Sequence, residues 1–379
     1  MSPRSVEDYL PLYTTFGPGL WLNSPAPALP FPLSAPRARR YYFARNAIWQ
    51  GLRMLRLEAG GTVLMPAYHH GVEVAAVRGA GFDVDFYRVD EGMQADVEDL
   101  IKRLSPRTRA IYFTQYFGIQ QPVDALRSAA DAAGIPLIED CAMAMFGEDR
   151  GRPLGSRGDL AIFCLHKTLP VPDGGLLLVN RPDLPLPDEP LNPRSFSPSI
   201  QLTRMFFNRV AVRQGRMGRW IRTLGYGLGH HGIAALGLPR APVGTNVFDP
   251  RLVDWGISWI TASILKRLDV PAIASLRQRN FRALADALAP FAHLPIRQLL
   301  DGACPPYFPI RVRDKPRFRA ALDAQGIETG DFWSVGYEPP GVFAEVDRLR
   351  REVVMVPVHQ DLEPRHIDLL IRVIKRELS

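Results

Sequence analysis

The chain has 379 residues, of which 46% are hydrophobic and 22% charged, so it is long enough for a large α/β domain and a smaller one. Its net charge of +7 is concentrated in residues 190–248, where eight arginines and no acidic residue occur, and the near-neutral remainder argues against a nucleic-acid-binding protein. The three cysteines lack metal-type spacing, the N-terminus lacks a secretory signal pattern, and no apolar run is long enough to span a membrane. We therefore predict a cytoplasmic protein without a metal site.

The first half of the chain alternates between predicted strands and predicted helices. Residues 17–37 contain six prolines and predict an extended segment, part of an N-terminal region over 1–40. A helix is predicted over 45–57 from its apolar spacing. Helices also separate five short apolar runs that predict strands at 62–68, 82–89, 110–117, 136–142 and 159–165. This alternation is typical of a mostly parallel sheet with helices on both faces, here a large α/β domain over 41–248.

The second half follows a different pattern. A proline-rich link leads into the arginine-rich segment, which we interpret as a basic insertion over 190–248. Residues 249–288 predict long helices. From about residue 305 a strand (YFPIRVR), a helix (KPRFRAALDAQG) and a closing helix (EPRHIDLLIRVIKREL) predict a small C-terminal α/β domain, so residues 249–379 form the last predicted region.

Two oppositely charged residues follow neighbouring predicted strands. Asp140 ends the run PLIED, and Lys167 follows DLAIFCL and precedes two prolines and two glycines. Because functional residues gather at the carboxyl ends of parallel strands, we expect both side chains in one crevice. A desolvated lysine suits imine formation, and a carboxylate can keep a pyridine nitrogen protonated. The alternative for Asp140 is a cap on the next element.

Two other segments contain candidate binding residues. The helix predicted to begin at Arg45, Asn46 and Ala47 offers exposed N–H groups and a helix dipole that suit a phosphate, although every helix has such an end. His69 and His70 follow the strand at 62–68, and either could stack on a planar ring. The alternative is a pair of surface histidines.

The order and spacing of these segments resemble the DegT-type sugar aminotransferases, which are pyridoxal-phosphate enzymes of fold type I. LIEDCAMAMFGEDRGRPLGSRGDLAIFCLHK…DGGLLLVN is similar to the family pattern IEDAAHA…GRxxGSxGDxxxFSFHxxKxxxxxxGGxxxxN. YFGIQQPVDAL, GTNVFDPRLVDWGISWITASILKRLD and VVMVPVHQDLEPRHIDLLIRVI resemble further family motifs. The resemblance covers roughly residues 40–375, and its GRPLGSRGD…K…GG block is the most specific part.

The resemblance implies an α/β fold of aminotransferase type, pyridoxal 5′-phosphate as cofactor, and transfer of an amino group from an amino acid, with glutamate as the expected donor, to a keto-sugar or sugar-like acceptor. A nucleotide-sugar of polysaccharide biosynthesis would be one such acceptor. It also implies that Lys167 forms the internal Schiff base and moves the substrate proton, and that Asp140 pairs with the pyridinium nitrogen.

The same resemblance implies cofactor contacts for other residues. Asn46 and Ala47 fall at the family's phosphate-binding helix start, and Asn246 would reach that phosphate from the second subunit of a homodimer with a shared active site. His70 falls on the ring-stacking position by ungapped count, and His69 is one residue away. Cys164 stands in place of a phosphate-binding serine.

The chain departs from the family pattern in ways that keep other functions open. Met143 replaces a histidine or glutamine, the segment before Lys167 is two residues shorter, and Arg45 replaces a glycine. A pyridoxal-phosphate-dependent sugar dehydratase is one alternative, because such relatives have histidine at the lysine position and His166 is adjacent. A non-catalytic binding or regulatory protein on the same fold is another, which Met143 favours.

The arginine-rich segment is the part least similar to the family. Between Leu202 and Leu224, apolar residues alternate irregularly with six arginines. It could attract an anionic substrate such as a nucleotide-sugar, lie on an acidic membrane surface through residues 202–224, or form a solvated face with structural arginine pairs. Of these, we favour substrate capture, because Gly215 and Gly218 interrupt an apolar stripe.

Overall fold

A seven-stranded sheet forms the centre of the molecule. The computed structural model describes residues 8–26, 28–235, 247–331 and 333–378. The strands are β1 (Ala38–Tyr41), β2 (Thr62–Pro66), β3 (Asp83–Tyr87), β4 (Thr108–Thr114), β5 (Leu137–Asp140), β6 (Glu148–Asp149), β7 (Arg152–Pro153), β8 (Leu160–Cys164), β9 (Gly175–Val179), β10 (Tyr307–Arg311) and β11 (Val353–Pro357). The helices are α1 (Ala44–Met54), α2 (Val72–Gly79), α3 (Val97–Arg103), α4 (Val123–Ala133), α5 (Leu165–Thr168), α6 (Ser197–Ala235), α7 (Trp259–Leu265), α8 (Val270–Leu288), α9 (Lys315–Asp323), α10 (Ala344–Glu352) and α11 (Pro364–Leu378).

The sheet is mostly parallel, as predicted. Its strand order is β1-β9-β8-β5-β4-β2-β3. The five strands from β8 to β3 are mutually parallel, whereas β9 runs antiparallel to both β8 and β1. Every residue of β5, β8 and β9 is buried, the pattern of strands covered on both faces. Strands occur at all five predicted positions, and the α/β fold class is confirmed.

Two strands of the sheet were not predicted. The run ARRY of β1 contains two arginines and crosses the predicted boundary at residue 40. Its arginines nevertheless find partners, since Arg39 donates to the carbonyl of Pro187 at 3.1 Å and Arg40 donates to the carbonyl of Leu33 at 2.5 Å. The run GLLLV of β9 begins at the second of two glycines, which usually mark a turn, and it is placed in the sheet by antiparallel pairing with β8.

Residues 249–288 differ from the predicted long helices. The segment begins with a short 3-10 turn at Pro250–Leu252, and helices exist only at α7, of seven residues, and α8, of 19 residues. Ser258 and Asp269 each cap the next helix through their side chains, and a proline follows Asp269 in the first turn of α8. These caps and the proline end one element and start the next, because both favour helix starts over helix interiors.

The C-terminal part contains the predicted strand and two helices. The strands β10 and β11 pair antiparallel, and α9, α10 and α11 accompany them. The N-terminal segment packs against this part, since Leu10 bridges Ile327 and the Tyr9 hydroxyl donates to Glu328. The domain boundaries themselves remain predictions.

Candidate active site

Polar side chains lie at the carboxyl ends of three adjacent parallel strands. Thr114 ends β4, Asp140 ends β5 and Cys164 ends β8, and Thr114 is the register partner of Asp140. All three line one cleft, together with Lys167 from the following turn, and the cleft encloses about 1030 Å³ of empty space when its mouth is included. The structure therefore brings Asp140 and Lys167 together at the edge of the sheet where parallel folds bind ligands.

Asp140 is held in a fixed orientation by two hydrogen bonds. Its Oδ2 accepts from the Tyr112 hydroxyl at 2.7 Å, and its Oδ1 accepts from the backbone N–H of Ala142 at 2.8 Å. Burial, and after it the nearby Glu73 carboxylate, raises the pKa of Asp140 to about 6. A cationic ring nitrogen beside this carboxyl would favour its charged form. The neighbouring Glu139 points elsewhere and accepts N–H groups from the loop at 155–158.

Lys167 lies in a single helical turn, α5, directly after β8. Its Nζ is 3.3 Å from the Sδ of Met143. A thioether is a weak acceptor without charge, so this contact leaves the amine available for reaction. The fully buried Arg277 donates from Nη2 to the carbonyl of Thr168 at 2.8 Å, which fixes the backbone immediately after Lys167.

The diglycine after Lys167 is required by the packing around it. Gly174 has a φ of +130° and accepts, through its carbonyl, from the N–H of Leu165 at 2.9 Å. A Cβ on Gly175 would lie 2.4 Å from the N atom of Ala44 and the carbonyl of Phe43. The first glycine thus closes the turn around Lys167, and the second lets the start of α1 approach β9.

The start of α1 faces the cleft, but of the three residues predicted to do so only Arg45 lines it. Phe43 at the N-cap contributes no capping side chain, and Ala44 and Arg45 line the cleft. The Arg45 guanidinium is buried, which lowers its pKa to about 10, and it donates to the carbonyl of Val247. The Asn46 side chain turns away and donates to the carbonyl of Leu252 at 2.6 Å. Ala47 is fully buried and does not line the cleft.

The two histidines have different surroundings. His70 lines the cleft, and burial lowers its pKa to about 4, so its ring is neutral at pH 7. His69 is fully buried outside the cleft, where its Nε2 lies 3.0 Å from Glu338 and its ring stacks on Phe86 at 5.0 Å. Arg350 binds both Glu338 and the carbonyl of His69. The position of His69 is therefore structural, and only His70 can reach a ligand in the cleft.

Glu73 and Tyr68 are among the cleft residues that were not singled out from the sequence. Glu73 is buried and accepts the N–H of His70 at 2.8 Å, and although burial opposes its charge, the two histidines lower its pKa. The Tyr68 hydroxyl is buried in the cleft wall without a hydrogen-bond partner among the described residues. Buried hydroxyls are normally satisfied, so the Tyr68 hydroxyl is available to pair with a polar group of a ligand in the cleft. Tyr68 and Glu73 both lie close to His70 in the run YHHGVE, and this closeness was the sequence signal that could have identified them.

Cys164 and His166 form a contacting pair on the cleft wall. The Sγ of Cys164 lies 3.5 Å from the Nδ1 of His166. Burial opposes charge on both groups, but their mutual attraction lowers the pKa of the Cys164 thiol and raises the pKa of His166. Cys164 therefore has more thiolate character than an isolated cysteine.

The residues present fit pyridoxal phosphate. An uncapped helix start with the cationic Arg45 suits the phosphate, the buried carboxyl of Asp140 suits the ring nitrogen, and a neutral His70 suits the ring face. The Tyr68 hydroxyl can satisfy a polar group of the ligand. Asn246 lies outside the described residues. Among the described residues of 190–248, none lines this cleft.

Parts of the chain are similar to curated enzymes. Over 83 residues the chain is 40% identical to L-glutamine:2-deoxy-scyllo-inosose aminotransferase of Streptoalloteichus tenebrarius, a match that covers 21% of the chain and 20% of that protein. Over 137 residues it is 27% identical to GDP-perosamine synthase of Vibrio cholerae, which covers 35% of the chain and 37% of that protein. The matched segments thus span between one fifth and two fifths of these relatives.

Solved structures match the fold over most of the chain. Sugar aminotransferase CalS13 from Micromonospora echinospora superposes with a TM-score of 0.65 at 20% identity, covering 97% of this chain and 100% of that one. A GDP-4-keto-6-deoxymannose-3-dehydratase variant with bound GDP-perosamine superposes with a TM-score of 0.63 at 16% identity, covering 89% and 88%. At these identities the likeness shows the fold alone.

The segment that forms the cleft also matches a family model. Residues 44–186, from the start of α1 to just beyond β9, match the model of the DegT/DnrJ/EryC1/StrS aminotransferase family. This segment includes Asp140, Lys167, the diglycine turn and His70, which are the residues around which the cleft is built. The similarity to this family therefore covers residues 44–186, which are less than half of the chain.

Proposed function

We propose that this protein is a pyridoxal-phosphate-dependent aminotransferase that moves an amino group from an amino acid to a keto group on a sugar or sugar-like acceptor. The observation that supports this most strongly is the meeting of Lys167 and Asp140 in one cleft beside an uncapped helix start. An amine, an acid and an anion site are the three groups that this cofactor needs from a protein.

The cofactor, when bound, supplies an aldehyde that amines attack and a pyridine ring that takes up electrons. Lys167 would hold the cofactor through Nζ, and the same Nζ, when free, would be the base that moves the substrate proton. Asp140 would pair with the ring nitrogen through a carboxylate that Tyr112 and the N–H of Ala142 keep in place. Met143 takes no part in proton transfer, since a thioether has no exchangeable proton.

The amino donor is an amino acid such as glutamate or glutamine. The relative from Streptoalloteichus tenebrarius is described as an L-glutamine-dependent aminotransferase, which supports this donor class. The acceptor is a cyclic polyol ketone, since that relative acts on an inosose and a matching structure holds a nucleotide-sugar. The exposed Tyr13 and the buried Tyr307 and Trp333 border the cleft and offer apolar faces to such a ring.

The active form is a homodimer with a shared site. Val247, whose carbonyl Arg45 binds at the anion end of the cleft, is 60% exposed. A second chain over this surface would bury Val247, and the family resemblance supports Asn246 of that chain as a phosphate contact. Mixing Lys167→Ala subunits with Asn246→Ala subunits should restore part of the activity, whereas full activity of an isolated monomer would contradict the shared site.

A dehydratase is the weaker alternative. His166, the residue that would have to replace the lysine, contacts Cys164. Lys167 contacts Met143 and lines the cleft beside Asp140. A retained amine at this position supports amino transfer, because its Nζ is both the attachment point and the proton carrier.

Single-turnover kinetics test the proposal. The cofactor-loaded protein, mixed with L-glutamate or L-glutamine and no acceptor, should release up to one equivalent of the corresponding oxo acid per site. Lys167→Ala should release none at a comparable rate, while Lys266→Ala, which changes a lysine outside the cleft, should behave as the unmodified protein. Failure of every amino acid tested, with the cofactor bound, would favour the non-catalytic alternative.

A further inference from the structure

The arginine-rich segment forms a helical hairpin on the side of the molecule. The helix α6 is interrupted at Gly215, where φ is 53° and ψ is −128°, values that suit glycine and reverse the chain. We call Ser197–Ala235 the basic hairpin. Its two limbs pack together, because the Tyr226 hydroxyl donates to Asn208 at 2.8 Å and a Cβ on Gly218 would lie 2.2 Å from the carbonyl of Val210.

One face of the basic hairpin is anchored to the body of the protein. Met205 is buried in an apolar cluster, and its carbonyl accepts the N–H of Phe16 at 3.3 Å. Arg209 pairs with Asp361 at 3.0 Å, and Arg222 pairs with Glu328 at 3.3 Å. These arginines are structural, as one of the sequence hypotheses supposed.

The opposite face presents a stripe of exposed apolar side chains. Met217 is 60% exposed, Trp220 is 66% exposed and Leu224 is 45% exposed. At 3.6 residues per turn, their positions fall within an arc of about 60° on the second limb. We call these three residues the outer stripe. Exposed apolar residues that line up on one helix face indicate a binding surface, whereas scattered ones do not.

The charged side chains that the basic hairpin itself contributes are all arginines. Arg213 and Arg216 are exposed beside the turn at Gly215, and residues 190–248 contain no aspartate or glutamate. Capture of the substrate, which we favoured from the sequence, loses support because the described part of the hairpin does not line the cleft. A binding partner for this face must accept apolar side chains and cations together.

We propose that the basic hairpin binds the surface of a membrane containing anionic lipids, with the outer stripe among the acyl chains nearest the headgroups and Arg213 and Arg216 against the phosphates. Trp at the interface, arginine on the flank and absence of acidic residues are the features of peripheral amphipathic helices. Within the described residues, no helix is both long and apolar enough to cross a bilayer.

Vesicle flotation tests this inference with the full-length protein. The unmodified protein should float with vesicles of phosphatidylcholine containing 30–40% phosphatidylglycerol and remain in solution with pure phosphatidylcholine. The variant Arg213→Gln/Arg216→Gln should bind about twenty-five-fold more weakly, about fivefold for each arginine, and binding should weaken as salt is raised. The variant Met217→Ser/Trp220→Ser/Leu224→Ser should lose binding at all salt concentrations.

Matched controls change the same residue types elsewhere. The arginines in Arg282→Gln/Arg351→Gln and the isoleucine in Ile101→Ser are exposed, and these variants should bind as the unmodified protein does. Thermal unfolding in lipid-free solution identifies a misfolded variant, in which case Trp220→Ser alone is used. In addition, vesicles with brominated acyl chains should quench less tryptophan fluorescence in Trp220→Phe than in the unmodified protein.

Three results would overturn the proposal. The first is no flotation of the unmodified protein at millimolar lipid. The second is equal loss of flotation in the control variants. The third is a change in oligomeric state of the stripe variant in lipid-free solution, which would show that a second copy of the chain covers the outer stripe.

Discussion

Replacing Gly175 by alanine should disturb the anion end of the cleft without touching any polar side chain. The added Cβ would lie 2.4 Å from backbone atoms of Phe43 and Ala44, whereas ordinary contacts begin near 3.4 Å. The start of α1 must therefore move by about 1 Å, since a backbone cannot rotate aside. Overpacking of this kind costs about 1–3 kcal/mol of unfolding free energy.

The same shift should weaken cofactor binding, because the N–H groups of the first turn of α1 move with it. Loss of one charge-assisted hydrogen bond, about 1.5–3 kcal/mol, corresponds to a dissociation constant about ten- to hundredfold higher. Equilibrium dialysis measures this constant, and denaturant unfolding of the cofactor-free protein measures the stability. Gly19→Ala is the control, since nothing lies within 4 Å of a Cβ there. Unchanged affinity and stability in Gly175→Ala would refute the assigned role of the diglycine.

Further predictions concern the acid, the thiol and the buried cation. Since the pKa of Asp140 is raised to about 6, cofactor affinity should fall as pH drops below 6. Titration with pyridoxal, which lacks the phosphate, should show the same fall. The fall should be absent in Asp140→Asn. Iodoacetamide should label Cys164 faster than the two fully buried cysteines, as peptide mass spectrometry can measure. Labelling of Cys164 should be slower in His166→Asn than in the unmodified protein. It should also be slower once the cofactor is bound. Arg277→Met leaves three buried carbonyls without donors and should lower the free energy of unfolding by about 2–4 kcal/mol, whereas the exposed Arg282→Met should change it little.

The sequence was sufficient to predict the parts of the fold that depend on local patterns. Strands that are buried on both faces form continuous apolar runs, and these runs were recognisable at all five predicted positions. Asp140 and Lys167 could be placed in one cleft for the same reason, because the carboxyl ends of parallel strands meet at one edge of the sheet.

Other features depend on contacts between distant residues and could not be predicted. His69 and His70 are adjacent and chemically identical, and only the contact with Glu338, 269 residues after His69, shows that His69 has a structural position. The burial of Glu73 and the unsatisfied hydroxyl of Tyr68 likewise arise from the walls that close the cleft. The reversal at Gly215 decides which arginines are anchored, and a sequence pattern cannot show this.

Cofactor attachment at Lys167 is the most direct test of the proposed function. The chain has five lysines, and only Lys167 lines the cleft as the structure describes it. Borohydride reduction of the protein loaded with pyridoxal phosphate, followed by peptide mapping, should find the pyridoxyl group on Lys167 and none in Lys167→Ala. A pyridoxyl group on Lys102 or another lysine, or no attachment at saturating cofactor, would contradict the account.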